Sequence, residues 1–306
     1  MKAVLLFSGQ GAQSVGMGQD LIEHDPGARE LLERANEALG FDLGQIMFEG
    51  PLEELTRTSR CQPALYLHGL LMLDQVRKRI PGLEPVAAAG LSLGEFTAHA
   101  AAGTFSFEDG LRVVARRGAF MEEACAAEKG TMAAMIGGEE DAIRSLAEEC
   151  GVQVANLNAP GQIVLSGSEA GITRAVEEAG AREICAAKPL TVAGAYHSRL
   201  MQSAQEKLSD ELAGVTIAPP QFPVYSNFLA APVSNPEEIR SSLVSQVTGS
   251  VRWSESMQKI VAAGSGNERL LELGPGKVLM GLMRRIDRGT RVLPLDSLES
   301  LDRLSN

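Results

Sequence analysis

The 306-residue chain is short of aromatics, histidine and cysteine. Aromatic residues make up 4% of it, with one Trp and three Tyr. So few rings argue against a stacking platform for single-stranded nucleic acid. Positive charge is also outweighed: the formal net charge is -11, which argues against bulk attraction to nucleic acid or to an anionic membrane. At first sight the same excess argues against an acidic protein partner. The four cysteines, Cys61, Cys125, Cys150 and Cys185, form no CxxC pair and are too few to staple a chain of this length. A reducing, cytoplasmic setting is the expectation. No apolar run approaches the roughly 18 residues of a membrane span. The apolar start, Ala3 to Phe7, is too short for a signal segment. No pair among the four histidines is spaced with a carboxylate or cysteine as a zinc site requires.

What is present is ordinary core material. Hydrophobic residues are 44% and charged residues 22%, which excludes disorder, collagen and coiled coil. The length fits one large domain, or two with one inserted in the other. Strand-like runs alternate with helical periods, the pattern of an α/β fold with a mainly parallel sheet. Ala3 to Phe7 and Val86 to Leu91 read as buried strands. Pro26 to Leu39, 62 to 79, a segment from near Gly94, and a segment from Ser106 to about Ala127 read as helices. Between 129 and 188 the order changes to βαββαβ: strands at Thr131–Ile136, Val152–Leu157, Gln162–Gly167 and Arg182–Ala186, helices at Glu139–Cys150 and Glu169–Ala179. That order is ferredoxin-like. The expected architecture is a large α/β-hydrolase-like domain from 1–128 and 189–306 with this subdomain inserted. Beyond it, a helix is expected from His197 to Leu212, a loop-rich stretch from 214 to 235, a helix from Asn235-Pro236, and a strand at Leu270–Leu273 followed by a helix to Arg285.

The strongest chemical feature is Gly90-Leu91-Ser92-Leu93-Gly94, lying between a buried strand and a helix. A nucleophile elbow needs that context: a sharp turn exposes the serine hydroxyl, and crowding demands glycine on both sides. The bland alternative is a tight turn with a buried serine. Position at the strand–helix junction favours the functional reading. A serine nucleophile needs a base. His24 and His68 sit in amphipathic helices, and His99 points away from the elbow. His197, in Gly194-Ala195-Tyr196-His197-Ser198, is presented from a break before a helix and is the better placed. No carboxylate stands out as a third member. Gly9-Gln10-Gly11 lacks the completion of a dinucleotide loop, and Gly274-Pro275-Gly276-Lys277 reads better as a structural turn than as a phosphate loop. Of Arg116 and Arg117, one must face the interior of an apolar helix, where a guanidinium needs an anion. Helical position alone leaves both open.

Taken together, six ordered segments resemble the malonyl-CoA:acyl-carrier-protein transacylases of fatty-acid synthesis over nearly the whole chain. They are Phe7-Ser8-Gly9-Gln10-Gly11-Ala12-Gln13, Gly90 to Phe96, Arg117-Gly118-Ala119-Phe120-Met121, Asn158-Ala159-Pro160-Gly161-Gln162, Gly194 to Ser198, and Glu272 to Leu279. The resemblance implies ping-pong acyl transfer with Ser92 as nucleophile and His197 as base. It implies that a main-chain carbonyl at Gln246 orients the histidine, that the Gln10 and Leu93 amides form an oxyanion hole, and that Arg117 holds the malonyl carboxylate. Met121, Tyr196 and Asn158 join the implied substrate-binding set. No metal or bound cofactor is implied; the substrates are malonyl-CoA and phosphopantetheinylated acyl carrier protein.

The chain departs from the family pattern at Leu91, which stands where a histidine is usual, and at Ser8, Ala12 and Tyr196. Tyr196 keeps the bulk that would turn away a branched methylmalonyl group. Rival readings are a serine hydrolase, a catalytically silent carrier-binding module, and the same chemistry in a polyketide or malonate pathway. Carrier proteins are acidic, so the charge of -11 requires a local basic patch. Lys188, Lys277, Arg284 and Arg285 are its candidates. A monomer without nucleic-acid or membrane contacts is expected.

Overall fold

The computed structural model describes residues 1–305. β1 (Lys2–Phe7) leads into α1 (Gln19–His24), α2 (Pro26–Leu39), α3 (Leu43–Glu49), α4 (Leu52–Thr56) and α5 (Thr58–Arg79). β2 (Glu84–Gly90), α6 (Leu93–Ala101) and α7 (Phe107–Ala127) follow. Next come β3 (Thr131–Ile136), α8 (Glu140–Glu149), β4 (Gln153–Ala159), β5 (Gln162–Gly167), α9 (Glu169–Glu178) and β6 (Ala186–Pro189). The chain continues through α10 (Gln202–Ala213), β7 (Val224–Ser226), β8 (Ala231–Val233), α11 (Pro236–Ser245) and α12 (Trp253–Ala263). It ends with β9 (Arg269–Leu273), α13 (Val278–Ile286), β10 (Val292–Leu295) and α14 (Leu298–Leu301).

Two sheets organise these elements. The larger has the order β10-β9-β1-β2-β7-β8. Its strands are parallel except for the β7–β8 hairpin at one edge. β1 is apolar at consecutive positions because both faces of the sheet are covered. Ala3, Leu5 and Phe7 enter one core with α5, α6 and α7. Val4 and Leu6 enter the other, with Trp253 and Met257 of α12 and Leu279 of α13. The smaller sheet is antiparallel, in the order β4-β5-β3-β6. α8 and α9 cover it through Ile143, Leu146 and Ile172.

This topology sets the site. The large sheet winds outward from β1 in both directions, so the connections diverge at the carboxyl end of β1, where open α/β sheets bind ligands. In register, Phe7 lies beside Gly90 of β2 and Leu273 of β9. The next residues, Ser8, Leu91 and Gly274, are therefore brought together. The Leu91 amide donates to the Phe7 carbonyl at 3.1 Å. Glycine is enforced here: a Cβ on Gly94 would stand 2.2 Å from the Phe7 oxygen, and one on Gly90 would stand 1.9 Å from the Gly94 carbonyl carbon.

Several local expectations need correction. The expected strand at Arg182–Ala186 lies instead at Ala186–Pro189. Ala179–Arg182 forms a 3₁₀ turn, Glu183 adopts φ 59°, and Ile184 is buried. The helix expected from His197 begins at Gln202, after a 3₁₀ turn at Arg199–Met201. His197 has φ 56°, outside helical space. α5 begins a turn before 62, at Thr58, with Pro63 inside it. The loop-rich 214–235 stretch contains β7 and β8, whose Pro232 is tolerated on an edge strand. Among the described residues no helix is long and apolar enough to cross a membrane.

Gly94→Ala should lower unfolding free energy by about 3 kcal/mol, because backbone must move to admit the methyl group. Gly281→Ala, whose Cβ meets nothing within 4 Å in α13, should instead stabilise by about 0.5 kcal/mol through helix propensity. Urea denaturation of the two variants checks both signs.

Candidate active site

Ser92 sits at the turn from β2 into α6 with φ 53° and ψ -102°. A left-handed backbone at a non-glycine residue costs about 1–3 kcal/mol and needs external support. Asn227, just after β7, supplies it. Its Oδ1 accepts from the Ser92 amide at 2.7 Å, and its Nδ2 donates to the Gly90 carbonyl at 2.8 Å. One side chain thus spans both sides of the elbow.

The Ser92 Oγ lies 2.8 Å from His197 Nε2. His197 Nδ1 donates to the Gln246 carbonyl at 2.8 Å. That bond places the ring proton on Nδ1 and leaves Nε2 free to accept from serine. His197 is 4% exposed. Burial, then the charge of Arg117, pushes its pKa down to about 4, against the opposing pull of the Gln246 carbonyl. The imidazole is therefore neutral at pH 7.

Arg117 reaches the same serine: its Nη2 donates to Ser92 Oγ at 3.1 Å and to Gln246 Oε1 at 2.9 Å. Its Nη1 donates to Gln62 Oε1 at 2.8 Å, and the guanidinium lies 5.2 Å from the Phe96 ring centre. Only 1% of it is exposed, and burial lowers its pKa to about 10. Its Nε has no hydrogen-bond partner among the described residues. Arg116 faces outward, paired with Glu211 at 3.4 Å. The two arginines left open by sequence are thereby separated.

The remaining expected residues fall into three groups. Gln10 follows β1 and Leu93 opens α6, and neither backbone amide is hydrogen-bonded among the described residues. As the first helical residue, Leu93 has no intrahelical acceptor. Tyr196 is 8% exposed; its hydroxyl lies 2.7 Å from Thr58 Oγ1, which also accepts from Gln10 Nε2 at 3.4 Å. Met121 stands one step removed, its Sδ accepting from Gln62 Nε2 at 3.5 Å. Asn158 shares no hydrogen bond with the Ser92 cluster among the described residues; its buried Oδ1 is unpartnered. Lys277, Arg284 and Arg285 are exposed around α13, whereas Lys188 is exposed on β6 of the other sheet.

Gly274-Pro275-Gly276 is a structural turn. The buried Glu272 carboxylate accepts from the Leu279 and Met280 amides at 2.8 and 2.9 Å, filling the start of α13. His68 and His99 are buried: His68 Nε2 faces the Asp296 carbonyl at 3.2 Å and His99 Nδ1 faces Thr104 Oγ1 at 3.2 Å. Sequence reasoning missed Asn227, Gln62, Thr58 and Glu95. Glu95 alone carried a signal, an acid three residues after the serine in an apolar helix start.

The acyl transferase domain family model matches residues 4–289. Malonyl CoA-acyl carrier protein transacylase of Bacillus subtilis is 39% identical over 306 residues, covering 98% of this chain and 95% of the relative. The solved acyl-carrier-protein S-malonyltransferase of Bartonella henselae superposes with a TM-score of 0.94 at 39% identity, covering 99% of this chain and 98% of that one. A malonyl-transacylase solved in complex with its type II PKS acyl-carrier protein also gives a TM-score of 0.94, at 35% identity over the full length of both chains. The chain belongs to the acyl transferase family, among its malonyl-CoA:acyl-carrier-protein transacylases.

Proposed function

We propose that this chain moves a malonyl group from malonyl-CoA to the phosphopantetheine thiol of an acyl carrier protein, through a malonyl ester on Ser92. The observation that carries the reading is the meeting of a Ser92–His197–Gln246 carbonyl relay with the buried guanidinium of Arg117. In the first half-reaction Ser92 Oγ attacks the thioester carbonyl as its proton passes to His197 Nε2. The Gln10 and Leu93 amides donate to the developing oxyanion. The C–S bond then breaks, and His197 returns the proton to the coenzyme A sulfur. In the second half-reaction the carrier thiol gives its proton to His197, attacks the ester carbonyl, and Ser92 leaves with that proton.

Arg117 pairs with the malonyl carboxylate, matching it in charge and in fork geometry. The same pairing acts on the base. Arg117 depresses the His197 pKa in the free protein, so a bound carboxylate that offsets its charge strengthens the base. A simple serine hydrolase has no use for a buried cation 3.1 Å from its nucleophile. Acceptors of polyketide type use the same chemistry, as the solved carrier complex illustrates; gene neighbours decide which carrier this chain serves.

The reading extends to organisation and partner. Residues 129–188 form a ferredoxin-like subdomain within an α/β-hydrolase-like domain, a view supported by the antiparallel order β4-β5-β3-β6. The carrier docks on the exposed basic residues Lys277, Arg284 and Arg285, with Lys188 as an outlying contact. The enzyme works as a cytoplasmic monomer on diffusible substrates.

Intact-mass measurement after malonyl-CoA addition should show one malonyl adduct, lost in Ser92→Ala and discharged by holo carrier protein. An adduct that persists in the variant refutes the serine ester. Arg117→Ala should cut malonyl-over-acetyl preference by roughly ten- to a hundredfold, the worth of a charged hydrogen bond. Because reaction needs neutral imidazole, wild-type labelling of Ser92 by a neutral serine reagent should fall off only near pH 4. In Arg117→Ala the acid limb should move to higher pH, since removing a cation makes His197 easier to protonate. Reversing charge at Lys277, Arg284 and Arg285 should raise KM for the carrier about tenfold, leaving malonyl loading unchanged; an unaltered carrier KM places the docking face elsewhere.

A further inference from the structure

We infer that Glu95 is the resting counter-charge of Arg117 and, acting through the Gln246 side chain, sets how strongly the pocket holds a substrate carboxylate. The inference rests on the reading of Arg117 as the carboxylate holder.

Glu95 is the third residue of α6 and is fully buried. Its Oε2 accepts from Gln246 Nε2 at 2.6 Å and from the Asn227 amide at 2.9 Å. Gln246 joins every part of the site. Its Oε1 accepts from Arg117, its Nε2 also donates to the Ser92 carbonyl at 3.0 Å, and its own carbonyl holds His197. The Gln246 amide is therefore polarised between a buried cation and a buried acid, oxygen towards Arg117 and nitrogen towards Glu95. The two charges dictate that orientation, since the flipped amide would set donor against donor and acceptor against acceptor. Glu95 thus touches neither the serine nor the histidine; it is a positioning residue that works through Gln246.

Its environment leaves its charge adjustable. Oε1 has no hydrogen-bond partner among the described residues, so the carboxylate is stabilised from one side only. Burial pushes its pKa up to about 7, with the Asn227 amide, Gln246, Ser226 and the Arg117 charge pulling the other way. Arg117, from α7, is the charged group that faces it. His197 on the neighbouring loop and His99 on the same helix are neutral between pH 6 and 8, their pKa values lowered to about 4 and about 3. Arg117 stays charged throughout that range.

The consequence is competition for one guanidinium. Ionised Glu95 offsets Arg117 in the free protein and repels an incoming carboxylate. Protonated Glu95 leaves the whole cation to the substrate. Malonyl-CoA binding is therefore linked to proton uptake at Glu95, and it weakens as pH rises through 7.

The test compares KM for malonyl-CoA with the competitive inhibition constant of acetyl-CoA, from pH 6 to 8, in the wild-type enzyme, Glu95→Gln, Glu95→Ala and Arg117→Ala. Acetyl-CoA carries the same coenzyme phosphates without the carboxylate, so their titration cancels in the ratio. In the wild type the ratio should rise several-fold with pH. Glu95→Gln keeps an oxygen for Gln246 and Asn227 but has no charge; it should give a flat ratio and a KM for malonyl-CoA about tenfold lower at pH 8. Glu95→Ala should lose kcat with both variants' acetyl-CoA constants unchanged, because Gln246 is released. A flat wild-type ratio overturns the inference whether or not the variants fold, and so does a folded Glu95→Gln with the wild-type slope. If Arg117→Ala leaves malonyl-CoA KM unchanged, the reading of Arg117 fails instead.

Discussion

A guanidinium that is 1% exposed must be held by its surroundings, and the site is arranged around that requirement. Leaving a cation unpaired in a dry interior costs several kcal/mol. Among the described residues Arg117 has no carboxylate in direct contact; it is held by two glutamine oxygens, a serine oxygen and a ring face. Neutral acceptors fix its geometry without neutralising it. The cation is thus kept in place, as the proposed recognition of an anionic acyl group demands.

The backbone supports this at a cost. Ser92 and His197 both have positive φ at non-glycine positions, 53° and 56°. Each is pinned by bonds to a third element: Ser92 through Asn227, His197 through the carbonyl at the end of α11. Ser92 and His197 lie 105 residues apart in sequence, yet their meeting depends on loops after β2, β6 and β7 being tied to one another. Gly90 and Gly94 allow the elbow to approach β1, so the same close approach that shapes the elbow also brings the Gln10 segment beside it.

Much of this was legible in sequence because it is local. The apolar runs of β1 and β2, the Ser106 cap of α7 and the Asn235-Pro236 start of α11 each carry their own instruction. The elbow was readable because its glycines and its serine are contiguous. Choosing Arg117 over Arg116 needed either the family resemblance or the packed helix, since adjacent residues differ only in which side they face. Asn227 and Gln62 had no signal at all; their roles come from hydrogen bonds across 135 and 55 residues. β6 was misplaced because Ile184 looks like a strand residue but is buried after a left-handed turn at Glu183.

In the proposed function the arrangement makes specificity and activation one electrostatic event. In the free protein the Arg117 charge, only partly offset by Glu95, opposes protonation of His197, and the imidazole is a weak base. A neutral acyl group entering the pocket leaves that field intact. In the proposed function, a malonyl carboxylate brings a negative charge to the guanidinium, weakens that field, and strengthens the base while its carbonyl lies against Ser92. Discrimination then need not rest on binding alone, because part of the carboxylate's effect falls on the proton transfer itself. A conventional carboxylate behind the histidine would strengthen the base permanently and erase this dependence. The carbonyl of Gln246 orients the ring without supplying a full charge, so in the proposed function the bound carboxylate adjusts the strength of the base.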